Sequence, residues 1–177
     1  MEAPKRTQGL RRAARRLREY GQEEGNGMGK PVGAGVVGRI ATNNAGTLLH
    51  REQEVVAWMK EEGVDTLCVQ EVRLNGGDRR VLERAAADEG YHVLWGEEDW
   101  SRDGFPERGV AIITRAQGYQ VKAGTMPDPR RVVVMRCHRE GARPLLVIGI
   151  YAHAGDLDER GRLIAETLAW AVRGRIS

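Results

Sequence analysis

Three polar residues stand where apolar runs end. The stretch LCVQEV, residues 67–72, holds Leu67, Cys68, Val69 and Val72, all suited to a buried strand, and then carries Glu71 to what reads as that strand's end. A carboxylate at the mouth of a buried strand is costly unless something pairs with it. A metal ion is one such partner; an arginine, Arg73 or Arg115, is another. Asn43 ends an earlier strand-like run, and Tyr151 ends LLVIGIY, just before AHAGD. Polar groups at the ends of three strands can converge on one rim, and loops that follow strands are where layered folds place their sites. Singly, each has an ordinary reading: an Asn in a turn is a turn residue, and a Tyr at a strand end caps the core.

The elements that must position these residues follow from periodicity. GVVGRIAT reads as a strand running into the turn-forming NNAG. Leu48, Leu49, Val55, Val56 and Met59 recur at helical spacing, with Gly63 as the stop. DTLCVQE is the next strand. GGDRRVLERAAADEG reads as a helix with Asp78 as N-cap and Gly90 as stop. YHVLWG, GVAIITR and LLVIGIY are strand-like, DPRRVVVMRCHR starts as another strand, and EEDWSRDGFPER is a polar loop. A last helix, from Leu157 onward, is suggested by Leu163, Ile164, Leu168 and Val172. Early alternation of strands and helices, then a run of strands, gives a layered α/β or α+β domain. Trp58 reads as partly buried packing.

The 177 residues suffice for one domain, and 41% hydrophobic with 30% charged residues describes a globular chain. No apolar run is long enough to cross a membrane, and the N-terminus has no apolar signal-peptide core. Cys68 and Cys137 sit in apolar runs without metal-type spacing and read as buried free thiols. A reducing, intracellular compartment, nuclear or cytoplasmic, fits them. The net charge of +3 is unevenly spread: PKRTQGLRRAARRLREY concentrates Arg11, Arg12, Arg15 and Arg16 near the start, before a Gly-rich linker that ends near residue 35. That segment has three competing readings: a solvated tail, a phosphate-binding arm for nucleic acid, or an organelle-targeting peptide. The folded domain is expected over 36–177.

Taken in order, IATNNAG, VDTLCVQEVRL, RGVAIITR and LLVIGIYAHAG resemble the endonuclease/exonuclease/phosphatase superfamily, from Val36 to the C-terminus. The resemblance implies a two-sheet β-sandwich flanked by helices, four layers in the order αββα. It implies a phosphodiesterase dependent on Mg²⁺ (or Mn²⁺), with Glu71 ligating the ion, Asn43 beside it, and Tyr151 contacting the phosphate. Such an ion would be held by oxygen ligands and would polarise the phosphoryl group. Arg115 and His153 are further candidates for substrate contact. His153 stands where the family often has Pro, and its ordinary reading is a loop histidine. Ala45 replaces a polar residue common in nuclease members.

The family's later motifs, a Gly-Asp-x-Asn strand end and an Asp-His pair, have no counterpart here: Gly155 and Asp156 come too soon after Tyr151 and lack the Asn. The domain is therefore expected to be truncated at its C-terminus, to leave one sheet face without a partner, and to be inactive or very weak alone. The leading function is a DNA endonuclease, of retroelement or abasic-site type, with a C-terminal continuation or a reverse transcriptase domain as a possible partner. An inositol-polyphosphate phosphatase and an inactive nucleic-acid-binding remnant are the alternatives. A generic domain in which Glu71 merely pairs with an arginine is the plainest, and under it Glu71→Gln leaves Mg²⁺ affinity unchanged.

Overall fold

Among the described residues, seven strands and three helices stack as four layers. The computed structural model describes residues 38–98, 100–116, 118–120, 126–137, 145–152 and 155–173. The expectations for the arginine-rich segment, Arg11, Arg12, Arg15 and Arg16 included, and for His153 lie outside these residues.

The first sheet has the order β1-β2-β4-β3: β1 (Arg39–Asn44) runs parallel to β2 (Val64–Gln70), while β4 (Val110–Thr114) is antiparallel to β2 and to β3 (His92–Trp95). The second sheet, β5-β6-β7, is antiparallel and comprises β5 (Gly118–Gln120), β6 (Val132–Cys137) and β7 (Leu145–Ile150). β5 was not foreseen; three residues carry too little pattern to stand out.

The parallel β1/β2 pair needs a crossover, and α1 (Glu52–Glu61) supplies it. α1 begins later than the apolar spacing suggested. Leu48 is buried ahead of the helix, and His50 adopts a left-handed backbone (φ 60°), which a continuing helix excludes. Gly63 (φ 64°) ends it as expected. α2 (Gly76–Asp88) is capped by Asn75 rather than Asp78: the Asn75 side chain accepts from the backbone N–H of Gly77 (2.8 Å) and Asp78 (3.1 Å). Val55, Val56 and Met59 of α1 and Leu82 and Ala86 of α2 pack with Leu67, Val69 and Ile113 on one face of the first sheet, with Trp58 partly buried beside them.

The opposite face of that sheet meets the second sheet. Cys68, Val110 and Ile112 pack against Val133, Met135, Cys137 and Val147. Both thiols are free and buried, and burial pushes the Cys68 thiol up to about 11. Gly149 sits in this layer because a side chain would not fit comfortably. A Cβ there would lie 3.0 Å from Val133 on its own sheet, and 3.4 Å from Val110 and 3.7 Å from Cys68 on the other. On the far side, α3 (Leu157–Arg173) lays Leu163 and Trp170 on Val132, Val134 and Ile148. The αββα order is therefore present, and both outer sheet faces carry helices. This corrects the expectation of an unpartnered face: the strands already divide between two sheets that cover each other. Among the described residues, no helix is long and apolar enough to cross a membrane.

Candidate active site

β2 delivers Glu71 to the end of the first sheet, and the chain there is held in an unusual conformation. Glu71 (φ 55°) and Arg73 (φ 47°) both have left-handed backbones, which cost non-glycine residues roughly 1–3 kcal/mol each. The turn between them is pinned. Val72 is buried, its N–H donates to Gly109 O (3.3 Å), and its carbonyl accepts from Leu48 N–H (3.0 Å). Arg73 N–H donates to Arg108 O (2.9 Å). Strain of this kind persists where surrounding contacts over-determine it, a condition common at functional sites.

Both oxygens of the Glu71 carboxylate are engaged. Oε1 accepts from Asn44 Nδ2 (2.9 Å), and Oε2 accepts from Arg73 (2.8 Å). The Tyr151 phenol lies near enough to Glu71 to favour its charged form. These contacts, Asn44 first and then Tyr151 and Arg73, hold the carboxyl below its usual range against the opposing effect of burial. Tyr151 is shifted the other way. Burial and the neighbouring Glu71 charge raise its phenol, while Arg108 and Arg73 partly counter them.

The structure thus joins Glu71 and Tyr151, one from each sheet. It replaces Asn43 by Asn44 as the amide in contact with Glu71. Successive strand residues face opposite sides. Ala41 and Ala45 pack on the helix-covered side, and Asn43 shares their parity. Thr42, bonded to Gln70 (3.0 Å), and Asn44 share the other. Gly46 N–H donates to Asn44 Oδ1 (3.1 Å), which fixes the amide so that its Nδ2 points at the carboxylate.

Arg115 lies elsewhere. It directly follows β4, where its backbone N–H donates to Asp65 O (3.0 Å), its guanidinium pairs with the Asp65 carboxylate, and it stands over the Tyr91 ring at 5.7 Å. Asp65 is at the start of β2 and Glu71 just past its end, roughly 20 Å apart at the rise of an extended strand. Arg115 therefore clamps the opposite end of the sheet, so of the two arginines offered as ion-pair partners of Glu71 only Arg73 reaches it. The antiparallel β2/β4 pairing, invisible in the sequence, decides this.

Sequence reasoning named Arg73 only as a possible ion-pair partner, and missed Asn44, Arg108 and Arg131. Arg131 immediately precedes β6, opposite Tyr151 beyond the end of the β6/β7 ladder. Its carbonyl accepts from Tyr151 N–H (2.8 Å), its guanidinium stands over the Tyr151 ring at 6.0 Å, and Asp128 pairs with it at 3.4 Å.

A hard divalent cation fits the chemistry of this donor set in one respect. Mg²⁺ keeps several waters and needs only one or two carboxylates, and Glu71 supplies one. Asn44 Oδ1 is already an acceptor for Gly46 N–H, so the amide orients the carboxylate rather than adding a ligand. Among the described residues, no group of three or more His, Cys, Asp or Glu side chains is placed to share a metal.

No protein-family model and no curated protein matches the sequence. Solved structures do match the fold. An AP endonuclease from Archaeoglobus fulgidus superposes with a TM-score of 0.56 at 23% identity, over 78% of this chain and 52% of that one. The 3' phosphatase NExo from Neisseria, bound to a product DNA hairpin, gives 0.53 at 19% identity, over 75% and 50%. An endonuclease/exonuclease/phosphatase family protein from Leptotrichia buccalis gives 0.51 at 15%, over 71% and 60%. The chain spans about half the length of the first two. Two sheets packed between helices, an acid and a phenol meeting from different sheets at one rim, and these superpositions together give the chain the fold of the endonuclease/exonuclease/phosphatase superfamily.

Proposed function

We propose that this chain carries part of the active site of a metal-dependent phosphodiesterase acting on DNA. The observation behind the reading is the Glu71 carboxylate, kept ionised by Asn44, Tyr151 and Arg73 in a strained turn at the meeting of the two sheets. Glu71 would hold Mg²⁺ or Mn²⁺, and the ion when bound would supply Lewis-acid polarisation of a phosphoryl oxygen. Tyr151 keeps its proton through the neutral range, because burial and the Glu71 charge both raise it, so it serves as a donor to a phosphate oxygen. Arg73 and Arg108 add positive charge beside it. The arginine-rich N-terminal segment and the DNA bound to the similarly folded Neisseria phosphatase favour nucleic acid over an inositol phosphate.

The reading includes weak catalysis by residues 1–177 alone. Among the described residues, the groups acting on Glu71 and Tyr151 are an amide, arginines and each other, with no imidazole or second carboxylate to take a proton from water. The deciding experiment measures Mn²⁺ binding by electron paramagnetic resonance for the wild type and Glu71→Gln, alongside nicking of supercoiled and abasic DNA in Mg²⁺. Saturable binding lost in Glu71→Gln, with slow Mg²⁺-dependent nicking at most, is the expected result. Equal binding by both proteins removes Glu71 as a ligand, and rapid nicking removes the claim of weak catalysis.

A further inference from the structure

Among the described residues, Arg73 is the cation bonded to the oxygen of Glu71 that Asn44 leaves open. Its guanidinium lies 2.8 Å from Oε2, while Asn44 holds Oε1. The arrangement is built rather than incidental. The left-handed backbones at 71 and 73, the buried Val72 between them and the Arg73 N–H bond to Arg108 O fix the turn from which both side chains project. A metal ion on Oε2 and a guanidinium at 2.8 Å from it are mutually exclusive, since like charges at that separation repel strongly even in a partly solvated site. The Arg73 side chain is half-exposed, so it has room to move, whereas Glu71 is not. Arg73 also already acts electrostatically on Tyr151, together with Arg108.

Building on the metal-site reading above, we propose that Arg73 is an intramolecular competitor for the metal position. The incoming cation displaces it from Glu71, and the released guanidinium turns to a phosphate oxygen held beside Tyr151. Arg73 is then a positioning and specificity residue. It lowers metal affinity in the absence of substrate, and metal and phosphate favour each other's binding because the phosphate takes up the guanidinium that must leave Glu71 for the metal to bind.

The test is a Mn²⁺ titration by electron paramagnetic resonance on the full chain. Arg73→Met should tighten binding about two- to fivefold, the scale of an exposed ion pair removed from competition. Arg73→Lys, which keeps the charge, should stay near the wild type. Unchanged or weaker binding in a folded Arg73→Met, checked by circular dichroism, overturns the proposal. Should that variant fail to fold, the Arg73 Nε–Hε resonance of the wild type decides, assigned from its loss in Arg73→Lys. Mg²⁺ must shift it, and no shift overturns the proposal. The two readings fail separately: if Glu71→Gln abolishes binding while Arg73→Met leaves it unchanged, only the competition fails, and if neither wild type nor Arg73→Met binds Mn²⁺ saturably, both fail.

Discussion

The two outer layers of the sandwich are built to different densities. On the first sheet, α1 and α2 bury Val55, Val56, Met59, Leu82 and Ala86, with Met59 and Leu82 wholly inaccessible. On the second, the longer α3 buries only Thr167, whose hydroxyl donates to Leu163 O (2.7 Å). Ile164, Leu168 and Val172 of α3 face outward, Leu168 being 54% and Val172 76% exposed. The difference bears on the site, because Glu71 comes from the dense half and Tyr151 from the thin one. Glu71 is held by core packing beneath Val72. Tyr151 sits at the edge of the core between the sheets, held there also by its backbone bond to Arg131 and the arginine over its ring.

Substitutions at matched positions break or sharpen this contrast. Met59→Ala should cost about 2–5 kcal/mol in urea denaturation, through lost burial and the cavity left behind. A loss under about 1 kcal/mol would mean the first layer is not close-packed. Gly149→Val, in the layer both halves share, should cost about 1–3 kcal/mol by overpacking and also weaken Mn²⁺ binding. Stability lost with metal binding intact would separate packing from site geometry.

The pH dependence of stability reports on the site itself. Glu71 has a folded pKa below its unfolded value, so its contribution is present above the unfolded value of 4.5 and is lost as the pH falls. Tyr151 is raised above 10.0, so its effect has the opposite sense: stability falls as the pH rises beyond that value. Wild type and Glu71→Gln compared by thermal melts from pH 6 down to pH 3 should converge at the acid end, and parallel curves would deny the shift. Smallest of all, Leu168→Glu should change stability by no more than about 0.5 kcal/mol, as surface substitutions do. A larger loss in Leu168→Glu would show that the outward stripe of α3 is covered in solution.

The same contrast governs what could be read from the sequence. Long apolar periods on the dense side gave the elements their type: β2, α1 and α2 follow from Leu67 to Val72, Val55 to Met59 and the run ending at Gly90. On α3 the period predicts the helix but not which residues it buries. Of Leu163, Ile164, Leu168 and Val172, only Leu163 packs on the sheet, together with Trp170. Within the site, Glu71 and Tyr151 were legible because each ends an apolar run. Asn44 was not, because adjacent asparagines differ only in strand parity, which depends on the register with β2. Arg115 was offered as a partner of Glu71, and Arg131 missed, for a related reason. Antiparallel pairing sends one strand's end to the other's beginning, and only the ladders show which ends coincide.

Gly149 carries a consequence for how such a site can change over time. The gap between the sheets at this point is closed by the absence of a side chain, with Val133, Val110 and Cys68 crowding the space a methyl would take. Two residues further along, Tyr151 crosses to Glu71. The reach of an acid to a phenol is therefore set by apolar volume at positions that touch neither. A gain in bulk at 149 calls for a loss of volume at 110 or 133, so these positions are coupled by the space they share, and the polar chemistry of the rim inherits its tolerance from that constraint.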